Sequence, residues 1–376
     1  MATALTQELA DLQAEASRFA CQYIASREDL SATSEFPWGT WKAMAAAGFL
    51  GLTIPREYGG RSGGYLALAV AGAALVRHGG NLGLALSSAI HNIVARFLIL
   101  GLGNSNQHSQ YLPAMASGKI TGSLAISEPE TGAHPKYLKT TATREGDFFI
   151  LNGEKTYLTN GPIADFYVVI AVTGMDQGRK QLGAFLVPRA IKGLTQTGPM
   201  SLDFLRPSPH GGIRMENAKV PVSNALAQDG RAYESIIKPF REIEDAALMG
   251  PMVGGMARQM ELALKLIEDK KSPPSEDIKT AVGGLQVHVD QAGILAYEAA
   301  AMLDNPPHSE FLSLLLAGRD LSHRFQEEFA ALIANAGVKP TAELEPLTRD
   351  LTDTANIARN VMLKKQAKMG QDLLGG

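Results

Sequence analysis

The apolar residues of this chain follow three successive patterns: helical in the first third, strand-like in the middle, and helical again to the end. From Leu5 to Tyr23 they recur at intervals of three and four residues, which predicts one face of an amphipathic helix. The same spacing continues as far as Gly118, in segments rich in alanine and glycine. These segments predict further helices at residues 38–47, 65–78, 82–100 and 107–115.

Between residues 123 and 222 the pattern changes to short runs enriched in β-branched and aromatic residues. Such runs, separated by turn residues, predict strands, at residues 123–127, 140–144, 148–151, 155–159, 166–172 and 182–188. Two pairs, Asn152-Gly153 and Asn160-Gly161, predict hairpin turns. The run Phe166–Val172 is apolar throughout, so we expect both faces of that strand to be covered.

From Tyr233 onward the helical period returns. An apolar stripe from Met249 to Ile267 is broken by Pro273-Pro274, since proline cannot continue a helix. Three more helices are predicted after this break, at residues 278–303, 311–334 and 347–369. The expected fold class is mainly α with a central small β domain. It comprises a helical N-terminal domain at residues 1–122, a β-sandwich or barrel at 123–232 and a C-terminal four-helix bundle at 233–376.

Composition narrows the class of protein. The chain has 376 residues, 45% hydrophobic and 19% charged, as in soluble globular proteins. A net charge of −3 offers no basic surface for nucleic acid. The single cysteine, Cys21, excludes an internal disulfide framework, and we expect it to be a small buried helix residue.

The ends of the chain and its hydropathy give an expected location. The first residues have neither the basic nor the apolar region of a signal peptide. No window reaches the roughly 18 uninterrupted apolar residues that would span a bilayer. We therefore expect a cytoplasmic protein with no membrane partner.

The stretch Ser123–Gly161 is a predicted small sheet between helical layers, a place where a flat cofactor could be held. The glycine-rich loop Pro55–Gly64 is no alternative cofactor site of the dinucleotide kind, because it lacks the GxGxxG spacing and the strand-to-helix context. The middle stretch therefore carries the candidate chemistry.

That middle stretch resembles the acyl-CoA dehydrogenase family of flavoproteins. The resemblance rests on three motifs, Ala125-Ile126-Ser127-Glu128-Pro129, Thr131-Gly132-Ala133 and Lys155-Tyr157-Thr159-Asn160. It extends over nearly the whole chain, through Gly48–Leu52, Ile54-Pro55, Glu57–Gly60, Tyr111–Pro113 with Gly118, Val220-Pro221 and Arg349-Asp350. The resemblance implies FAD as cofactor and a role in fatty acid metabolism.

The resemblance assigns a set of residues to the flavin ring. Leu124 and Ile126 would contact it through backbone groups, and Tyr157 would cover its face in place of the family's tryptophan. Ser127 would supply the hydroxyl of the family's threonine, and Thr159 is retained. The polar edge of isoalloxazine needs backbone and hydroxyl donors, so both hydroxyls are expected to donate to the ring. The alternative for Ser127 and Thr159 is pairing of strand hydroxyls across the sheet.

For the substrate, the resemblance implies contacts at Gly132 and Ala133 in the acyl-CoA channel. Ala133-His134 stands where the family has a serine-aspartate pair, so one hydroxyl is lost. His134 could contact the phosphates of coenzyme A, or it could be an exposed loop histidine.

The resemblance also implies α,β-dehydrogenation of an acyl thioester, which needs a carboxylate base for the α-proton. Where most family members have that glutamate, this chain has Ala358. The isovaleryl and long-chain members place it ten residues before a helix glycine, and taking Gly254 as that glycine gives Glu244. Lys270, sixteen residues after Gly254, then takes the place of an arginine that reaches a neighbouring subunit's flavin diphosphate. Alternatively, Glu244 belongs to a solvated, charged helix start.

Three functions follow from the resemblance. The first is a homotetrameric dehydrogenase that acts on a short or branched acyl-CoA and passes electrons to an electron-transfer flavoprotein. The second is a non-catalytic or half-site subunit of a heterotetramer, because the usual base is absent and the residues that grip the flavin diphosphate are changed. Where the family has a glutamine and paired glycines, this chain has Ala331, Ala334 and Asn335. The third is a flavin monooxygenase on the same fold, since fold does not fix chemistry.

Overall fold

The protein's computed structural model describes residues 5–200, 202–305, 310–357 and 359–375. Its helices are α1 Gln7–Tyr23, α2 Trp38–Ala46, α3 Tyr65–Gly79, α4 Leu82–Ile93, α5 Ser105–Ala116, α6 Lys238–Glu268, α7 Glu276–Asp304, α8 Phe311–Ala336, α9 Leu344–Asn356 and α10 Arg359–Leu373. Its strands are β1 Gly122–Ala125, β2 Thr141–Glu145, β3 Phe148–Thr159, β4 Phe166–Asp176, β5 Arg179–Pro188, β6 Leu194–Met200, β7 His210–Pro221 and β8 Ala225–Ala227. This order of helices, sheet and helices confirms the predicted fold class.

Contacts divide the chain into two compact units, each discontinuous in sequence. One unit comprises residues 1–31, 65–85 and 245–376, and the other comprises residues 32–64 and 86–244. The division at residues 122 and 232 that we expect from the sequence stays a prediction.

The sheet belongs to the second unit. Its strand order is β6-β7-β3-β2-β4-β5-β8, with β1 paired in parallel to β4. Residues 166–171 of β4 are all buried, which confirms that both faces of this strand are covered. Tyr167, Val169 and Phe185 contribute to a core in which the side chains of β4 and β5 meet those of β3 and β7.

The two predicted Asn-Gly hairpin turns are wrong. Asn152-Gly153 lies inside the single strand β3, where the register with β7 shifts by a bulge. Glycine is needed there because a Cβ atom would come within 2.5 Å of the Thr140 hydroxyl. Asn160-Gly161 leads out of β3 into a 3-10 turn, with Asn160 in the left-handed conformation. Turn-forming residues can therefore mark a bulge as well as a hairpin.

The helices of the first unit pack through small residues. A Cβ atom on Gly254 of α6 would lie 2.0 Å from the carbonyl oxygen of Ala73 on α3, and one on Gly250 would lie 2.3 Å from that of Ala69. The α6 and α3 backbones therefore cross in direct contact. The core of this unit continues along α6, α7 and α8, where Phe325 is fully buried.

Within the described residues, the C-terminal part has one helix more than we predict from the sequence. The predicted helix at 347–369 is wrong, because α9 ends at Asn356 and Ile357 has a non-helical backbone with a ψ of 131°. The Ile357 carbonyl oxygen accepts a hydrogen bond of 2.7 Å from Nη1 of Arg319 on α8, so it does not continue the helical ladder. Ala358, which stands at the family's usual base position, lies outside the described residues.

The structure also shows the exposure of Cys21 and the burial of the most apolar helical stretch. Cys21 is exposed on α1, so the prediction of a buried residue is wrong; the buried stripe of α1 runs through Leu12, Ala16 and Phe19. Among the described residues, one helical stretch, Leu82–Leu100, has the length and hydropathy of a membrane span, and 89% of it is buried inside the protein. That burial is typical of a core helix.

Candidate functional site

A buried ion pair lies at the centre of the flavin-type motifs. The Lys155 Nζ atom, on β3, lies 2.8 Å from Glu128 Oε1, and the two side chains are 0% and 4% exposed. Nζ also donates to the Ile126 carbonyl oxygen at 3.0 Å. The Glu128 carboxylate accepts the backbone N–H groups of Lys139 and Thr140, at 2.6 and 2.9 Å. One lysine thus joins two points of the loop that follows β1.

The ionised forms of Lys155 and Glu128 are stabilised by their mutual attraction and by hydrogen bonds. Burial lowers the pKa of Lys155 to about 8, against the attraction of the Glu128 carboxylate. Burial alone would raise the pKa of Glu128, but the ammonium and the hydrogen-bond donors outweigh it, so this pKa is lowered. At neutral pH both groups are therefore ionised, and each compensates the desolvation of the other.

The loop is closed on itself beyond this pair. The Glu128 and Gly132 backbones exchange two hydrogen bonds of 3.0 Å, and Gly132 has a φ of +58°, a conformation that glycine adopts without strain. Ala133 follows, and its carbonyl oxygen accepts 2.8 Å from Nη2 of Arg241. The two predicted substrate residues therefore form a narrow turn tied to the first turns of α6.

Tyr157 sits on a second irregularity of β3. Register with β7 shifts between Lys155 and Leu158, and Tyr157 has a φ of +57° with 58% of its surface exposed. A bulky residue with positive φ is a backbone outlier, and such strain persists where the surroundings impose it, often at functional sites. The bulge therefore exposes an aromatic ring at the position predicted to cover a flavin.

Three other predicted ring contacts lie on β1 and in the two residues that follow it. Leu124 is paired with Val168 at the end of β1, and Ile126 is 8% exposed. The carbonyl oxygen of Ser127 accepts 2.8 Å from the backbone N–H of Thr156, which joins the β1 end to β3. Within the described residues, the Ser127 hydroxyl has no hydrogen-bond partner, so cross-sheet pairing of this hydroxyl is not observed.

Thr159, in contrast, has a partner in the chain. Its hydroxyl oxygen lies 3.1 Å from Nε2 of His210, which is the residue opposite it on β7. The second ring nitrogen of His210 lies 3.1 Å from the Ser208 carbonyl oxygen. Pairing of the Thr159 hydroxyl across the sheet is therefore observed, with an imidazole as partner.

Glu244 lies on α6, three residues after Arg241, and is half-buried. Residues three apart share one face of a helix. Since Arg241 reaches the carbonyl of Ala133, the candidate base lies on the helix face that carries the contact to the predicted substrate loop. The assignment of Glu244 as base stays a prediction.

Lys270 follows the end of α6, and its ammonium is engaged within its own chain. Nζ donates at 2.6 Å to the carbonyl oxygen of Ala336, at the C-terminus of α8, where Gly337 takes the left-handed conformation. This is a favourable place for a cation, since helix C-termini carry partial negative charge. The predicted contact of Lys270 with a flavin diphosphate stays a prediction.

Four residues of the site receive no role in the sequence-based predictions. Glu128 and Lys155 lie within the family motifs. The signal for a buried lysine is that Lys155 falls on the alternating positions of β3 that Phe149 and Leu151 also occupy. Arg241 stood in a charge run typical of a solvated face. His210 carried no signal, since a lone histidine after a proline indicates a loop.

Sequence profiles of two domains cover more than half of the chain. The acyl-CoA dehydrogenase N-terminal domain matches residues 6–119, and the acyl-CoA dehydrogenase middle domain matches residues 123–218. The chain belongs to the acyl-CoA dehydrogenase family. The family consists of flavin-dependent oxidoreductases, so the recognition made from the motifs is confirmed.

Individual family members are similar over most of the chain. The probable acyl-CoA dehydrogenase YngJ of Bacillus subtilis is 27% identical over 357 residues, 92% of this chain and 93% of that protein. The L-prolyl peptidyl-carrier protein dehydrogenase of Pseudomonas fluorescens is 29% identical over 270 residues, 70% of this chain and 71% of that protein. The solved FAD complex of PigA has a TM-score of 0.86 at 23% identity, covering 98% of this chain and 99% of that one, which is a likeness of fold.

The residues present fit a flavin ring. The Ser127 hydroxyl has no partner among the described residues, the Tyr157 ring is exposed on a strained bulge, and Thr159 retains lone pairs beside its bond to His210. These are the groups that an acyl-CoA dehydrogenase needs along the polar edge and the face of isoalloxazine.

Proposed function

We propose that this chain is an FAD-dependent oxidoreductase that removes the α and β hydrogens of an acyl thioester. The observation that carries the proposal is the exposed Tyr157 ring on its strained bulge. Its neighbour Thr156 donates its backbone N–H to the carbonyl oxygen of Ser127, in the loop that the Glu128–Lys155 pair secures. The bulge holds Tyr157 at a φ of +57° in the part of β3 that extends beyond its pairing with β2, which ends at Asn152. A planar cofactor lying against it gives the strain a function.

In this proposal the chain's residues divide the work. Ser127 and Thr159 hydrogen-bond the ring edge, Tyr157 covers one face, and backbone groups of Leu124 and Ile126 complete the contact. Gly132 and Ala133 hold the thioester chain. When bound, FAD supplies the acceptor for the hydride that leaves the β-carbon.

Glu244 is the proposed base for the α-proton. Its half-buried place on α6 is suited to a carboxylate whose proton affinity must approach that of an acidified C–H group. Its position one turn after Arg241 supports this role, because Arg241 binds the turn that contains Ala133. The proton moves to the Glu244 carboxylate while the β-hydrogen and its electron pair leave together, so that a carbon–carbon double bond forms.

The decisive experiment is an absorption spectrum of the purified protein, before and after anaerobic addition of thioesters. The panel contains short, branched and long acyl-CoA, together with a carrier-protein thioester, because one similar protein is named for a peptidyl-carrier substrate. We expect a yellow protein that at least one thioester bleaches.

The base is tested by a matched pair of variants. Glu244→Gln should keep the flavin and abolish bleaching, whereas Glu242→Gln, a half-buried neighbour on the same helix, should bleach normally. An unchanged bleaching rate in Glu244→Gln would show that another group takes the proton.

We further propose a cytoplasmic homotetramer that passes its electrons to an electron-transfer flavoprotein. Family membership supports this acceptor. Stopped-flow mixing of the bleached protein with an electron-transfer flavoprotein, compared with air-saturated buffer, tests it. Faster reoxidation by oxygen than by the flavoprotein would favour an oxidase.

One observation favours a second candidate, a subunit that binds FAD only beside a related chain. The Lys270 ammonium is held by the Ala336 carbonyl oxygen of its own chain, and Ala331, Ala334 and Asn335 replace the family's glutamine and glycines. This candidate expects colourless protein from expression alone and flavin only after co-expression with a partner chain. Stoichiometric FAD in the isolated homo-oligomer would exclude it.

A further inference from the structure

We propose that His210 is a positioning residue that sets which way the Thr159 hydroxyl points, and so makes Thr159 a hydrogen-bond acceptor toward the bound flavin. The inference rests on the proposed function in taking FAD as the ligand and Thr159 as a contact of its ring. It replaces the sequence expectation that the Thr159 hydroxyl donates to the ring. It also gives a role to a histidine that the motifs do not include.

The position of the protons follows from the two contacts of the imidazole. Nδ1 lies 3.1 Å from the Ser208 carbonyl oxygen, and a carbonyl can only accept, so Nδ1 carries the hydrogen. His210 is 8% exposed, and burial lowers its pKa, so the ring is neutral and Nε2 keeps its lone pair. The Thr159 hydroxyl, 3.1 Å away, must then donate to Nε2.

The imidazole cannot turn away easily, because its loop is fixed at several points. The carbonyl oxygen of Pro209 accepts 2.8 Å from the backbone N–H of Asn160. The Ser208 hydroxyl lies 3.0 Å from that of Ser87, and the Ser87 carbonyl oxygen accepts from the buried Asn160 side chain at 2.9 Å. His210 and Thr159 are also direct partners in the antiparallel ladder.

A hydroxyl that has donated its only proton offers the ligand two lone pairs and no donor. On the polar edge of isoalloxazine, one ring nitrogen accepts hydrogen bonds in the oxidised form and carries N–H in the two-electron-reduced form. An acceptor along this edge therefore binds the reduced ring more tightly than the oxidised ring. His210 thus raises the midpoint potential of the flavin without touching it.

The test is a double-mutant cycle read by anaerobic spectroscopic redox titration. His210→Phe removes the acceptor and frees the Thr159 proton, so we expect the ratio of affinities for reduced and oxidised FAD to fall about tenfold, a shift of about 30 mV for a two-electron couple. In a Thr159→Val background the same His210→Phe change should shift nothing. In a Ser127→Ala background, which leaves Thr159 intact, the shift should remain.

An equal shift with and without the Thr159 hydroxyl would overturn the inference, because His210 would then act by packing alone. The apoprotein supplies an independent readout. NMR of protein labelled with ¹⁵N-histidine should show His210 protonated at Nδ1 in the absence of FAD, and protonation at Nε2 would overturn the inference. If the wild-type protein binds no FAD, the proposed function fails and the redox role with it; if FAD binds and the cycle shows no coupling, only the role of His210 fails.

Discussion

Removing the charge of Lys155 should destabilise the protein far more than removing any exposed lysine. In Lys155→Met the side chain keeps its length and apolar stem, but Glu128, 4% exposed, loses its ionic partner. Breaking a buried pair on one side costs roughly 3–5 kcal/mol, since an uncompensated charge stays buried.

The structure places the expected value near the lower end of that range. Glu128 keeps the backbone donors of Lys139 and Thr140, which continue to hold its carboxylate. We therefore expect a loss of about 3 kcal/mol in the free energy of unfolding of Lys155→Met. In the double variant Lys155→Met, Glu128→Gln the buried charge is gone, and at least about 1 kcal/mol should be recovered.

Urea unfolding of the apoprotein, followed by far-UV circular dichroism, measures these values. Lys139→Met is the matched control. Its ammonium is 72% exposed and 3.9 Å from the 84% exposed Glu130 carboxylate, an ion pair on the same loop that should be worth less than about 1 kcal/mol. A loss for Lys155→Met no larger than that of the control would refute the argument that the buried pair secures the loop.

Three further changes test the rest of the fold. Burial lowers the pKa of His91 to about 4, so the unfolded chain binds a proton at a higher pH than the folded protein does. The free energy of unfolding should therefore fall by about 2 kcal/mol from pH 7.5 to pH 5, and urea unfolding of His91→Met should show a smaller fall. Gly254→Ala should cost about 3 kcal/mol by calorimetry, because the new Cβ meets the Ala73 carbonyl at 2.0 Å, whereas Gly283→Ala, with nothing within 4 Å, should stabilise by about 1 kcal/mol. Asp304→Ala should cost about 1 kcal/mol, since its carboxylate accepts the first two backbone N–H groups of α3 at 2.9 and 3.0 Å; an unchanged melting temperature would contradict the capping role.

The architecture could be predicted because period and composition act locally. The apolar run of β4 and the helical stripe of α6 predict their own burial, and the structure confirms both except at Leu264, which is exposed. The prediction of a hairpin at Asn152-Gly153 fails because the glycine is required by a close contact with Thr140. Thr140 is not a neighbour of Gly153 in the sequence, so local sequence patterns do not predict this contact. A bulge and a hairpin require the same residue types, so only the partner strand separates them.

The parts of the candidate site that lie in a family motif could be predicted from the sequence, whereas contacts between residues distant in the sequence could not. Ser127 and Tyr157 came from resemblance to a family motif, whereas the contact between Thr159 and His210 joins residues 51 apart in sequence. The engagement of Lys270 with Ala336 joins residues 66 apart. The sequence indicates the kind of group that a charged side chain can bind, but only the fold determines which such group lies within its reach.

The exposed thiol on α1 gives a means of observing assembly. Because Cys21 is the only cysteine of the chain and is exposed, a maleimide-linked spin label attaches once per copy without any substitution. Pulsed dipolar spectroscopy of the labelled protein then reports one set of distances for a homo-oligomer. Mixing with an unlabelled partner chain that forms a heteromeric complex would change those distances, so the same natural residue discriminates between self-association and a heteromeric complex.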